Sequence, residues 1–161
     1  MLVTSIEKKA LIITGLNKEL HSLFPELTNK SVEQLIVINS YGTVISDPYS
    51  CLIRNILLAV YCENVEEIYI IGERNSKENH LNKEELLSKM QEAGISQKTI
   101  ETLEYMKTVG SDLFSWAAGD ADIKKILSRN TEMIKHHPLL PKTVSVYGFI
   151  ANTETGEVEA I

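Results

Sequence analysis

Three short segments of this chain are apolar without alternation: "ALII" within residues 9–14, "LIVI" within 33–39 and "IYII" within 66–72. A strand with one wet face alternates apolar and polar side chains, whereas a strand apolar on both faces has to be covered on both sides. Strands of that kind belong to parallel sheets, whose crossover connections bring helices onto the sheet faces. This is the feature that most restricts the fold.

The intervening sequence supplies the crossovers. "GLNKELHSLFPEL" reads as a loop and a short helical stretch broken at Pro25. After the second apolar run, Tyr41-Gly42 marks a turn. Ser46 or Asp47 can then cap a helix, with Pro48 in its first turn. From Tyr49 to Cys62 nearly every residue is apolar, Arg54 and Asn55 being the main exceptions. A helix apolar all round is buried on more than one side, so one side is assigned to the sheet and the other to a second subunit.

Further helices are expected over residues 82–94, 96–109 and 120–137. In the first, Asn82 and Glu85 stand in capping-box-like spacing and Gly94 is the stop; Pro138 ends the last. Near the C-terminus Val144, Val146, Gly148 and Ile150 alternate with Ser145, Tyr147 and Phe149 as in a strand. Thr155-Gly156 can turn that strand into a hairpin. The expected fold is α/β: a doubly wound, mainly parallel sheet of four to five strands flanked by helices, with a C-terminal hairpin. A chain of 161 residues with 43% hydrophobic residues suits one domain over residues 1–161.

Charge and hydropathy narrow the function classes. A formal charge of −6 with scattered lysines leaves no basic stripe for nucleic acid. No apolar run approaches the ~20 residues of a membrane span, and the N-terminal apolar stretch is too short for a secretory leader. The expectation is a soluble, cytoplasmic protein without membrane insertion. Cys51 and Cys62 are eleven positions apart on one expected helix, about 16 Å along its axis. They can neither pair nor share a metal within the chain, and are expected to be buried thiols acting as small hydrophobes.

In open parallel sheets ligands bind beyond the carboxyl ends of the strands. That rule selects the loops at residues 15–19, 39–42 and 73–76, which read "GLNKE", "NSYG" and "ERNS". Taken in order with the closing "GFIANTETG", these loops resemble the β-class carbonic anhydrases. That family carries Cys-x-Asp-x-Arg after its first strand, Arg-Asn-Ala-Gly after its second and His-x-x-Cys after its third. The resemblance implies the fold expected above, a homodimer, and a zinc ion held by two thiolates and an imidazole.

At the positions the resemblance assigns to the zinc ligands stand Gly15, Glu73 and Ser76. Asn17 and Glu19 stand where the Asp-Arg pair is expected, and Asn39-Ser40-Tyr41-Gly42 keeps only the glycine of its turn. Zinc lowers the pKa of a bound water to about 7, and without it hydroxide has no source at neutral pH. The resemblance therefore implies a member with no cofactor and no catalytic residues. Such a chain would be an accessory or regulatory subunit tied to inorganic carbon, with a membrane-associated bicarbonate or CO2 uptake complex as partner. The alternative is a divergent anhydrase using an atypical metal site or a partner chain.

Asn17, Glu19, Asn39, Ser40, Tyr41 and Arg74 are the candidates for a residual cleft. Lys18, Glu19, Glu73 and Arg74 are expected to form ion pairs there, or Glu19 and Glu73 a carboxylate pair for a hard cation. Elsewhere, His136-His137 is read as a cationic helix end, His80 as a loop residue and Trp116 as packing a surface loop. Ser46-Asp47-Pro48 could offer backbone N–H groups to an anion, although Asp47 opposes one.

Overall fold

The computed structural model describes residues 7–110 and 112–161; the first six residues of the N-terminal stretch read above lie outside it. Five strands form one sheet: β1 (Lys9–Thr14), β2 (Leu35–Asn39), β3 (Val65–Glu73), β4 (Ser145–Ala151) and β5 (Val158–Ala160), in the order β2-β1-β3-β4-β5. β1 pairs in parallel with β2 and β3, and β3 with β4; β5 returns antiparallel on β4. The hairpin turn closes where Gly156 N–H reaches Asn152 O at 2.8 Å, with Gly156 at φ 75°.

The central strands meet the expectation of two-sided burial. Ala10, Leu11, Ile12 and Ile13 are completely buried, as are Ile68 and Ile70. One face of the sheet, with Leu11, Ile13, Ile68, Ile70 and Ile150, packs on α2 (Cys51–Cys62) and α6 (Ile123–Lys135) through Ile53, Ile56, Leu127 and Ile134. α6 crosses β3 directly over Gly72, where a Cβ would lie 2.6 Å from Ile123 Cδ1. The other face, with Ala10, Ile12, Tyr69 and Ile71, is covered by Leu20 and Phe24 from the 3₁₀ turn Lys18–Leu23 and α1 (Phe24–Thr28).

Several expectations are corrected. β2 is only half-buried, because it is the sheet edge and only β1 flanks it. Pro25 sits in the first turn of α1 and starts that helix rather than breaking it, as its missing N–H allows. α2 is capped by Ser50, whose hydroxyl accepts from Ile53 N–H. Asp47 instead accepts from Tyr49 N–H at 2.8 Å, so Ser46-Asp47-Pro48 forms a turn whose carboxylate takes an N–H an anion would need. Cys51 and Cys62 are both exposed on this chain, since the buried stripe of α2 is Ile53, Ile56 and Ala59, and the thiols lie off it.

α3 (Lys83–Glu92) is capped by Asn82 as expected, and α4 (Gln97–Tyr105) by Ser96. Trp116, half-exposed, belongs to a short helix α5 (Leu113–Ala118) that the sequence reading treated as loop. His137 does not stand exposed at the helix end. It is buried beyond the end of α6, its Nε2–H donates to Pro48 O at 2.9 Å and its Nδ1 accepts from Leu139 N–H. Among the described residues no helix is long and apolar enough to cross a membrane.

Candidate functional site

Parallel pairing sets the carboxyl ends of β1, β2 and β3 side by side. Thr14 is in register with Asn39 on one side and Ile71 on the other, so the three following loops emerge at one sheet edge. They are tied together by short bonds. Ser40 N–H donates to Thr14 O at 2.8 Å, and Asn39 Nδ2 donates to Gly15 O at 2.7 Å. Asn79 Nδ2 donates to Gly42 O at 2.8 Å.

At the convergence lies a side chain that the sequence reading passed over. Glu78, 5% exposed, follows Ser76 in a 3₁₀ turn that Ser76 caps by accepting from Glu78 N–H. Its carboxylate turns back between the first two loops. Leu16 N–H donates to both oxygens, at 3.2 and 3.1 Å, and Gly42 N–H donates to Oε1 at 2.9 Å. Gly42 reaches this position at φ 67°, with space for a Cβ only 3.2 Å from Glu78 O. A Cβ on Gly15 would stand 3.0 Å from each carboxylate oxygen. The missing side chain at position 15 and the long acid at 78 thus occupy one volume.

Beside this carboxylate is a cleft of about 460 Å³. Of the expected residues, Asn17, Tyr41, Glu73 and Ser76 line it, joined by Leu16, Asn75, Lys77 and Glu78. Glu73 Oε1 accepts from Asn17 Nδ2 at 2.8 Å and from Thr153 Oγ1 at 3.2 Å. Glu19, Asn39, Ser40 and Arg74 do not line the cleft. Asn39 and Ser40 bind the backbone, and Ser40 Oγ donates to Val44 O at 2.6 Å. Glu19 is exposed and gives its N–H to Asn17 Oδ1.

The expected ion pairs among Lys18, Glu19, Glu73 and Arg74 do not form among the described residues. Arg74 turns away to the C-terminal strand and pairs with Glu159, which Lys124 also reaches at 2.9 Å. Lys124 first and Arg74 second hold the Glu159 carboxyl below the ordinary carboxylate range. His80 and Ser76 form no serine–histidine pair: His80 Nδ1 bonds Ser76 O at 2.9 Å, not its hydroxyl.

The donor set does not fit a zinc ion. Gly15 offers no donor atom, Ser76 a neutral hydroxyl, and Glu73 and Glu78 are taken up by hydrogen-bond donors. The Leu16 and Gly42 N–H groups both point at the Glu78 carboxylate, a polarity suited to an anion. Among the described residues no three His, Cys, Asp or Glu side chains come together to hold a metal. What the arrangement does is bind a carboxylate, and the carboxylate is its own.

A mainly parallel sheet with helices on both faces, a loop cluster at its carboxyl edge and a returning C-terminal hairpin defines an open α/β protein. No protein-family model matches the sequence. The chain is 31% identical over 156 residues to the "Putative carbonic anhydrase-like protein YbcF" of Bacillus subtilis (strain 168), spanning 93% of this chain and 85% of that protein. It is 30% identical over 154 residues to the same organism's "Putative carbonic anhydrase YvdA", spanning 96% and 77%. Among solved structures, β-carbonic anhydrase isoform I of Trichomonas vaginalis superposes with a TM-score of 0.78 at 23% identity, over 99% of this chain and 87% of that one. An apo carbon disulfide hydrolase superposes at 0.71 with 16% identity, over 94% and 77%. The chain belongs to the β-carbonic anhydrase family.

Proposed function

We propose that this chain is a carbonic-anhydrase-like pseudoenzyme whose zinc site is lost: a single domain over residues 1–161 that forms a homodimer and serves as an accessory or regulatory subunit in inorganic-carbon handling. The observation that carries the reading is the occupied centre. Where the loops converge there is no thiolate and no imidazole, and the Glu78 carboxylate fills the space on two main-chain N–H groups. Hydration of CO2 at neutral pH needs a nucleophile made from water, and the residues of this cleft offer neither a zinc-ligand set nor a base–nucleophile pair to make one.

The surface supports contact with a partner. Tyr49, Leu58, Tyr61 and Leu139 expose 73, 42, 61 and 56% of their areas along the outer side of α2 and the segment after α6. A second copy is the first partner this side is assigned. The structural neighbours include two β-carbonic anhydrases of Sordaria macrospora that are described as tetrameric. A CO2 or bicarbonate uptake complex at the membrane is the client assigned on family ground, reached from the cytoplasm without insertion.

The test is metal content and CO2 hydration on the same purified sample. The expectation is far less than one zinc per chain and hydration no faster than the buffer. Stoichiometric zinc with turnover would establish instead a divergent anhydrase working with an atypical metal site; the name of YvdA favours anhydrase activity. Turnover appearing only after a partner chain is added would also refute the pseudoenzyme.

A further inference from the structure

We infer that Glu78 is a built-in ligand: the Leu16 and Gly42 N–H groups form a cradle for a planar carboxylate, and Glu78 fills it so that the three loops are held together without a metal. A metal ion at a loop junction cross-links segments distant in sequence. Glu78 does the same, joining the loop after β3 to the loops after β1 and β2 across 62 and 36 positions. Asn79 adds a bond to Gly42 O from the same turn, so both sides of the Gly42 peptide region are engaged. Gly15 completes the cradle by leaving the volume that the carboxylate occupies.

The cradle has the attributes of a ligand site rather than of a casual contact. It is buried, its donors are main-chain groups fixed by strand ends, and all the contacts approach the oxygens of one carboxylate. The cleft with Asn17, Tyr41 and Lys77 lies alongside, giving solvent a route to it. Any ligand admitted there in place of Glu78 must present the same chemistry, a small planar anion of the carboxylate or bicarbonate type.

This deepens the proposed function and rests on the centre being free of metal, so metal content is measured first on each sample. Glu78→Ala keeps the Cβ and removes a two-carbon carboxylate, the size of acetate. The expected result is a Tm lower by about 5–10 °C. Sodium acetate, on the order of 100 mM, should raise the variant's Tm well beyond equal sodium chloride and leave the wild type unmoved. A metal-free E78A protein with an unchanged Tm, or one that acetate raises no more than chloride does, overturns the inference while leaving the pseudoenzyme reading intact. A zinc-loaded wild type whose Tm falls with chelator overturns the reading beneath it. Should E78A fail to fold, Glu78→Gln preserves the shape. Amide exchange at Leu16 and Gly42 should then accelerate relative to Ile12 and Ile70, and unchanged exchange refutes the cradle.

Discussion

Gly15→Ala tests whether position 15 and Glu78 share one volume. Gly15 does not lie in the left-handed region, so alanine is permitted by the backbone. Reduced freedom of the unfolded chain would then stabilise the protein by about 0.4–1 kcal/mol. Packing opposes this. The new Cβ would stand 3.0 Å from both Glu78 oxygens and 3.3 Å from the carboxyl carbon, so the carboxylate must retreat by a few tenths of an ångström. It cannot do so freely, because its bonds to Leu16 and Gly42 N–H are 2.9 to 3.2 Å long and the group is buried. Weakening hydrogen bonds to a carboxylate costs about 1.5–3 kcal/mol. The balance is a loss of roughly 1–2 kcal/mol, or about 2–8 °C in Tm at this size. Urea and thermal unfolding measure it directly. In an E78A background the same G15A change should become neutral or stabilising, a coupling energy of about 1–3 kcal/mol. G15A as stable as the wild type, or additive with E78A, would refute the shared volume.

Asn130→Ala should cost about 1–3 kcal/mol in denaturant unfolding, because the buried Asn130 Nδ2 donates to Thr43 O at 2.6 Å and, among the described residues, no other donor reaches that carbonyl. Glu159→Gln should remove a pH-dependent contribution. The folded carboxyl is held below its ordinary 4.5, so the contribution is complete above about that pH and lost as pH falls through the lowered value. Melts of the wild type and E159Q should therefore differ at pH 7 and converge in acid; a constant gap would contradict the Lys124 and Arg74 clip. Leu58→Glu should turn a dimer into a monomer in sedimentation with the fold retained, and an unchanged mass would remove the α2 side from the interface. Finally, G15C/E73H/S76C should still fail to hold zinc stoichiometrically, because the Glu78 carboxylate and its N–H donors remain in the way.

The parallel sheet was legible because burial on both faces leaves a direct mark, as in "ALII" and "IYII", and the loops at its carboxyl edge followed from topology. The edge status of β2 was not legible: "LIVI" is as apolar as the central runs, and only pairing order shows that one flank is open. The start of α2 was misplaced because Ser46, Asp47 and Ser50 can each cap a helix. Tertiary packing of Ile53 selects the last. Within the site, the cleft positions of Asn17, Tyr41, Glu73 and Ser76 were readable from loop order, whereas the inward turn of Glu78 was not. The available signal was Gly15, a glycine in the loop after the first strand, which leaves a void, with a long acid two residues beyond Ser76. Nothing in spacing says that this acid rather than Glu73 fills it. Arg74 was drawn to the wrong partner because Glu159 is 85 positions away and only the hairpin brings it near.

The polarity of the centre bears on what the fold can be used for. A cation is held by lone pairs, so its loops must turn thiolates, imidazoles or carboxylates inward. A carboxylate is held by N–H groups, so the same loops need only their main chain, provided no side chain stands in the way. Gly15 meets that proviso on one loop. Gly42, at φ 67° with Glu78 O and Asn79 Nδ2 beside it, meets it on the second. The third loop supplies the anion. Each loop thus contributes to cohesion, and the Glu78 bonds to Leu16 and Gly42 N–H link the ends of the three strands. A chain with these residues at its sheet edge can therefore hold the three loops of this fold together through main-chain N–H groups and one buried carboxylate.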